Sequence, residues 1–148
     1  VVYGSIKIMD LSRDFPRSPK QKIAGFVQLG RMIDKGRAYK EKKLAEYIYP
    51  CPLDKIILNF LCIDADAFAK MVANKKDDEI SIWAKELTKS KSTLEISFIN
   101  KQILDRKPDS QDRLKYFNEI RDKIDPSRSD IITWVDLLDL EEGRLPQK

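Results

Sequence analysis

The chain has 148 residues, 42% of them hydrophobic, 35% charged and 9% aromatic, with a net charge of +4. That balance excludes a disordered or collagen-like chain, and the length predicts one domain able to bury a core without disulfide or metal staples. The sequence holds no His, which removes the commonest general base, the commonest metal ligand and every Ser–His or Cys–His nucleophile pair.

Residues 1–9 read as an N-terminal extension, 10–143 as a single helical domain and 144–148 as a loose tail. The stretch Asp10 to Pro19, with Pro16 and Pro19, reads as an extended lead-in. Ser18-Pro19 is a good N-cap and first-turn pair, and predicts a short helix to about Gly25. A longer helix is predicted from about Leu29 to Lys43, with Met32, Ile33, Gly36 and Tyr39 facing inward at helical spacing. Gly36 in that stripe predicts close approach of a neighbouring helix. Glu46-Tyr47-Ile48-Tyr49-Pro50 alternates and reads as a short extended stretch ended by its proline.

Cys51-Pro52 opens the next helix, with Ile56, Ile57, Phe60 and Leu61 on its buried side. Asp64 caps a helix carrying Phe68, Met71 and Val72. Asp77 or Asp78 caps another, with Ile80, Trp83, Ala84 and Leu87. Ser92 and Glu95 form a capping box for a helix carrying Ile96, Ile99, Ile103 and Leu104, which stops before Pro108. A helix from about Ser110 to Ile124 places Leu114, Phe117, Ile120 and Ile124 on one face. Ser129 or Asp130 caps the last helix, through Ile131, Trp134, Val135 and Leu138 to near Gly143. The fold class predicted is all-α: one bundle-like domain of about seven short helices with little or no sheet.

Four stretches also carry a resemblance. They are Asp10-Leu11-Ser12 leading to Phe15-Pro16-Arg17-Ser18-Pro19; Arg31-Met32-Ile33-Asp34-Lys35-Gly36-Arg37-Ala38; Tyr49-Pro50-Cys51-Pro52-Leu53-Asp54 with Ile63-Asp64-Ala65; and Tyr116-Phe117-Asn118 with Thr133-Trp134-Val135-Asp136-Leu137-Leu138-Asp139. In order and spacing, from about Asp10 to Glu142, the chain resembles a bacterial family known only as a domain of unknown function. The resemblance implies a stand-alone, intracellular, mainly helical domain, and transfers no activity and no catalytic residue. One departure is Gly30, where similar chains often carry proline.

Charge is uneven along the chain. The first fifty residues hold 11 Lys and Arg against 5 Asp and Glu, and the remainder 17 against 19. A basic front half suits an anionic partner; the plainer reading is a solvated lysine-rich surface. Lysine outnumbers arginine 19 to 9 and no RNA- or DNA-binding motif is recognisable, which argues against nucleic acid. No apolar run approaches the length of a membrane span. Cys51 and Cys62 match no zinc spacing and fit reduced thiols, so the location predicted is cytoplasmic. No Gly-rich phosphate loop or nucleophile elbow appears.

Three constellations can carry chemistry. Cys51, between two prolines at a helix N-cap, sees the positive end of that helix, which favours a thiolate; the plainer reading is a buried structural cysteine. Arg31, Asp34, Arg37 and Glu41 share a helix face. With Arg17 they read as an anion cradle, provided Arg17 and Arg37 converge in space; the plainer reading is an exposed ion-pair ladder of small energetic value. Asp136 and Asp139 lie at i, i+3 and can divide acid and base roles or bind Mg²⁺ or Ca²⁺, with Asp54 or Asp64 as further oxygen donors. Asp54 also reads as a first-turn acid, Asp64 as an N-cap, and Trp83 and Trp134 as core.

The leading expectation is a cytoplasmic helical domain that binds a small anionic ligand or acidic partner, with Arg17, Arg31, Asp34, Arg37, Trp134 and Asp139 as ligand-binding residues. One alternative is a small enzyme without His, with Cys51, Asp54 and Asp136 as catalytic residues. Another is a self-associating module, as a homodimer. No cofactor and no metal ligand set is identified. All of this leans on the four family-like stretches folding back around one charged hollow.

Overall fold

The structure is a computed structural model that describes residues 6–145. Among these residues seven α-helices form: α1 (Leu29–Lys40), α2 (Pro52–Leu61), α3 (Ala65–Ala73), α4 (Asp77–Leu87), α5 (Thr93–Leu104), α6 (Gln111–Ile124) and α7 (Trp134–Glu141). Among the described residues no strand forms, and the fold is all-α as the periodicity predicts. Residues 1–5 of the expected extension and 146–148 of the expected tail lie outside the described residues. The chain divides into two units, one ending at Asn100 and the other beginning at Lys101, so the division falls within α5.

The first unit is built on α1, which packs mainly against α3 and also against α2. Leu29, Met32, Ile33 and Ala38 of α1 are buried, with Leu53, Ile57, Leu58 and Leu61 of α2 and Phe68, Ala69 and Val72 of α3. At Gly36 helix α1 comes close to α3. A Cβ there would lie 3.2 Å from Val72 Cγ2 and 3.6 Å from Ala69 Cα, which is why the stripe carries glycine. Asn100 ties α5 into this unit, accepting from the Val27 N–H (3.0 Å) and donating to the Gly25 carbonyl (2.8 Å).

Several boundaries differ from the sequence expectation. No helix forms over 19–25. Ser18 Oγ accepts from the N–H of Lys20 (3.1 Å), two residues on, and so makes a turn rather than a helix cap. Ala24 (φ 53°) and Gly25 (φ 84°) are both left-handed, and they reverse the chain so that Ile23 and Phe26 exchange backbone hydrogen bonds. Helix α1 stops at Lys40 rather than Lys43, because Lys42 is left-handed (φ 58°) and the Lys43 N–H returns to the Ala38 carbonyl (2.8 Å). Tyr39 is therefore exposed in the last turn, not inward. Residues 46–50 form no strand: Glu46 closes a turn, 47 and 48 are irregular, and the chain bends at 49 and 50. On α2, Ile57 and Leu61 are buried as predicted, while Ile56 and Phe60 are only partly so and Leu58 joins the core.

The caps at Asp64 and Ser92 fall where the sequence places them, and Ser110, the expected start of the next helix, caps α6. Two others do not. The N-cap of α4 is Lys76, with its N–H satisfied by Glu79 Oε1 (3.0 Å), and Asp77 is the first helical residue. The N-cap of α7 is Thr133, whose Oγ1 accepts from the Asp136 N–H (3.3 Å); Asp130 is taken by the Arg128 guanidinium at 3.0 and 3.1 Å. In the second unit α6 packs on α7 around Phe117, Ile131, Leu137 and Leu140, with Ile120, Ile124, Trp134 and Leu145 against them. Leu114 of α6 is exposed rather than part of that face.

Candidate functional site

Helix α1 is buried on nearly every side: all residues from Leu29 to Ala38 are buried, including Arg31, Asp34, Lys35 and Arg37. The charged face is thus not the exposed ladder that spacing alone suggests. Buried charges need partners, and these helix side chains find them on other segments of the first unit.

Arg17 is held against Asp34 by three donors. Its backbone N–H reaches Asp34 Oδ2 (2.8 Å), Nε reaches the same oxygen (3.0 Å) and Nη2 reaches Oδ1 (3.0 Å). The remaining arm, Nη1, donates to Asp77 Oδ2 (2.8 Å). Arg37 meets the same carboxylate from the other side, with Nη1 3.0 Å from Asp77 Oδ1. Arg37 also donates to the carbonyls of Val72 (3.0 Å) and Lys75 (2.7 Å), and so fastens the end of α3 to the start of α4. Arg31 donates to the Arg17 carbonyl (3.2 Å) and lies over the Tyr47 ring, 5.5 Å from its centroid. Arg17 and Arg37 therefore converge, and the atom group between them is the chain's own Asp77, whose side chain is 49% exposed. Partial burial acts to raise the Asp77 pKa; the hydrogen bond and charge of Arg17, then those of Arg37, outweigh it and hold the carboxyl below its ordinary value.

A second cluster forms where α1 meets the start of α2. Lys35 Nζ donates to Asp54 Oδ2 (2.6 Å), the Ile48 carbonyl (3.1 Å) and Cys51 Sγ (3.2 Å). Asp54, the third residue of α2, also accepts from the Cys51 N–H (2.9 Å) and from Gln28 Nε2 (2.9 Å). Gln28 is the N-cap of α1, held at a left-handed φ of 69° and fully buried. Its Oε1 is buried without a hydrogen-bond partner. The Cys51 thiol is pushed up by burial first and by the Asp54 charge second, against the smaller opposing pull of Lys35. Its resting form at neutral pH is the thiol.

In the second unit, Trp134 packs on Phe117 (centroids 5.0 Å apart, 74° between planes) and lies under the Arg113 guanidinium at 4.8 Å. Asp136 is partly exposed in the first turn of α7. Asp139 is buried, 3.7 Å from Arg144 Nη1. A shallow groove on α6 is lined by Gln111, Leu114, Lys115, Asn118, Glu119 and Asp122, none of them among the ligand-binding or catalytic residues expected from the sequence. Among the described residues, no group of three or more Cys, Asp or Glu side chains gathers in a way that could hold a metal ion. No helix there is long and apolar enough to cross a membrane.

Three participants escape the sequence reading. Lys35 lies within a family-like stretch, but its neighbours Asp34 and Gly36 do not announce its partners. Gln28 carries no local signal. Asp77 reads as a helix cap because its two arginines stand 60 and 40 positions earlier in the chain.

A family model described as Domain of unknown function (DUF5069) matches residues 13–144. No curated protein matches this chain.

Proposed function

Since the chain belongs to that family, whose description assigns no activity, we propose from the geometry that the domain binds a small anionic ligand or an acidic partner at Arg17 and Arg37. The observation that carries this reading is the convergence of two guanidiniums, at 2.8 and 3.0 Å, on one half-exposed carboxylate. Guanidinium forks are built to hold carboxylate and phosphate. Asp77 is then an internal occupant, and the incoming anion takes its place in front of the two Nη1 groups. Asp34 keeps Arg17 in position, and the carbonyls of Val72 and Lys75 keep Arg37 in position, so the donors stay oriented when Asp77 leaves. A cytoplasmic location belongs to the same reading and is supported by two free cysteines.

The test is calorimetric titration with inorganic phosphate and with succinate. Asp77→Asn removes the competing charge, and is expected to bind at least about tenfold more tightly than the wild type, or about 1.4 kcal/mol. Adding Arg37→Gln to that variant should abolish the gain. Equal affinity in wild type and Asp77→Asn, or binding that survives Arg37→Gln, overturns the proposal.

A further inference from the structure

We propose that the place Asp77 fills between Arg17 and Arg37 takes a carboxylate in preference to phosphate; this rests on the anion-binding reading above and names its ligand class. Most of each guanidinium is already committed. Arg17 directs Nε and Nη2 at Asp34, and Arg37 directs Nε and Nη2 at the carbonyls of Val72 and Lys75. The Asp34 side chain is 4% exposed and that of Arg37 2%, so enclosure holds both arrangements in place. What remains for a ligand is one arm of each arginine, its Nη1.

The two arms do not share an oxygen. Arg17 Nη1 lies 2.8 Å from Asp77 Oδ2, and Arg37 Nη1 lies 3.0 Å from Asp77 Oδ1. One carboxylate therefore bridges the two arginines, each of its oxygens facing one cation, and the fit of donors to acceptors is complete. A phosphate brings further oxygens, and neither arginine has another arm to give them.

Charge favours the same class. Arg17 and Arg37 are both cations, and Asp34 balances one of them, so a single negative charge neutralises the group; Asp77 supplies it. A carboxylate restores that balance when Asp77 turns away. Phosphate carries more than one charge at pH 7.5 and overshoots it, and it does so beside Asp78 and Glu79, which stand with Asp77 in the first turn of α4. The Asp77 side chain is 49% exposed, which gives it a way out to solvent and a ligand a way in. Two sources present such a group: a free small acid, and an Asp or Glu side chain of another polypeptide.

The test is calorimetric titration of Asp77→Ala, which removes both oxygens and keeps a good helix former at the start of α4. The titrants are sodium acetate, inorganic phosphate and the blocked peptide acetyl-Ala-Asp-Ala-amide, at pH 7.5 and one ionic strength. Acetate is expected to bind about tenfold more tightly than phosphate. Acetate should also raise the urea midpoint of Asp77→Ala and leave that of the wild type, whose place is filled, unchanged. A peptide that binds more tightly than acetate assigns the carboxylate to a polypeptide partner; a peptide that binds no more tightly assigns it to a free acid, and both support the proposal. Phosphate binding as tightly as acetate overturns it and leaves the anion-binding reading standing, as does acetate raising both midpoints equally. Failure of every titrant to bind overturns both readings. If Asp77→Ala does not fold, Asp77→Asn carries the same comparison.

Discussion

Breaking the Lys35–Asp54 pair tests the most consequential contact in the first unit. Lys35 retains 4% of its side-chain exposure and Asp54 none, and their charged atoms are 2.6 Å apart. Lys35→Met keeps the length of the side chain and removes the charge. Asp54 is then a buried carboxylate with two remaining donors, the Cys51 N–H and Gln28 Nε2, and no cation. Removing one partner of a buried pair costs about 3–5 kcal/mol, because the survivor is left uncompensated. A domain of ordinary stability has about 5–15 kcal/mol in all, so the variant should be visibly weakened and still measurable. Asp54→Leu should cost a similar amount. The double variant removes both charges and orphans only neutral groups, so the two losses should fall short of additivity by about 2–3 kcal/mol. The assay is urea unfolding followed by tryptophan fluorescence in a Trp134→Phe background. Trp83 is then the sole reporter and belongs to the first unit, packed 6.2 Å from Phe68 between ring centroids. Single variants costing less than about 1 kcal/mol, or losses that simply add, would show that the pair is not what holds α2 to α1.

Three further outcomes follow from single sites. The Asp77 carboxyl is held below its ordinary value in the folded chain, so its contribution is present above the unfolded pKa and is lost as pH falls from there through the folded pKa; the stability difference between wild type and Asp77→Asn should be constant at neutral pH and shrink below about pH 4. Gly36→Val should cost about 2–3 kcal/mol in the same urea assay, since even a bare Cβ meets Val72 at 3.2 Å and a branched side chain overpacks the contact of α1 with α3. Thr133→Ala should cost about 1 kcal/mol, measured by Trp134 fluorescence, because the Asp136 N–H loses its cap; Asp130→Ala should cost α7 no cap at all.

What the sequence made legible was local. Asp64, Ser92 and Ser110 cap helices through bonds to the backbone three residues on, and short-range chemistry of that kind is written in the order of residues. Gly36 announced a close approach for the same reason. The rest depends on partners far along the chain. Ala24 carries no mark of the left-handed turn it adopts, which Ile23 and Phe26 impose by pairing across it. The first turn of α4 begins one residue early because Asp77 spends its carboxylate on Arg17 and Arg37 rather than on a cap. The charges of α1 looked like a solvated face because spacing reports which residues share a face, not what covers it.

Burial of that face is the physical problem that organises the first unit. Four charged side chains, Arg31, Asp34, Lys35 and Arg37, lie within ten consecutive buried positions of α1. None is tolerable without a counter-group, and α1 does not bring enough of its own. The lead-in supplies Arg17, α2 supplies Asp54 and α4 supplies Asp77, so the helix cannot be buried until three distant segments have arrived. Well-packed apolar residues of the same volume would hold the segments together at least as well. An ionic interior kept at that disadvantage calls for a reason beyond stability, and the places where it approaches solvent are few. One is Asp77, half exposed between two guanidiniums; the other is Cys51, partly exposed beside Lys35. If the charges are kept for function, Asp77→Asn should change anion binding, while substitutions at an enclosed member of the network, such as Asp34, should first cost stability.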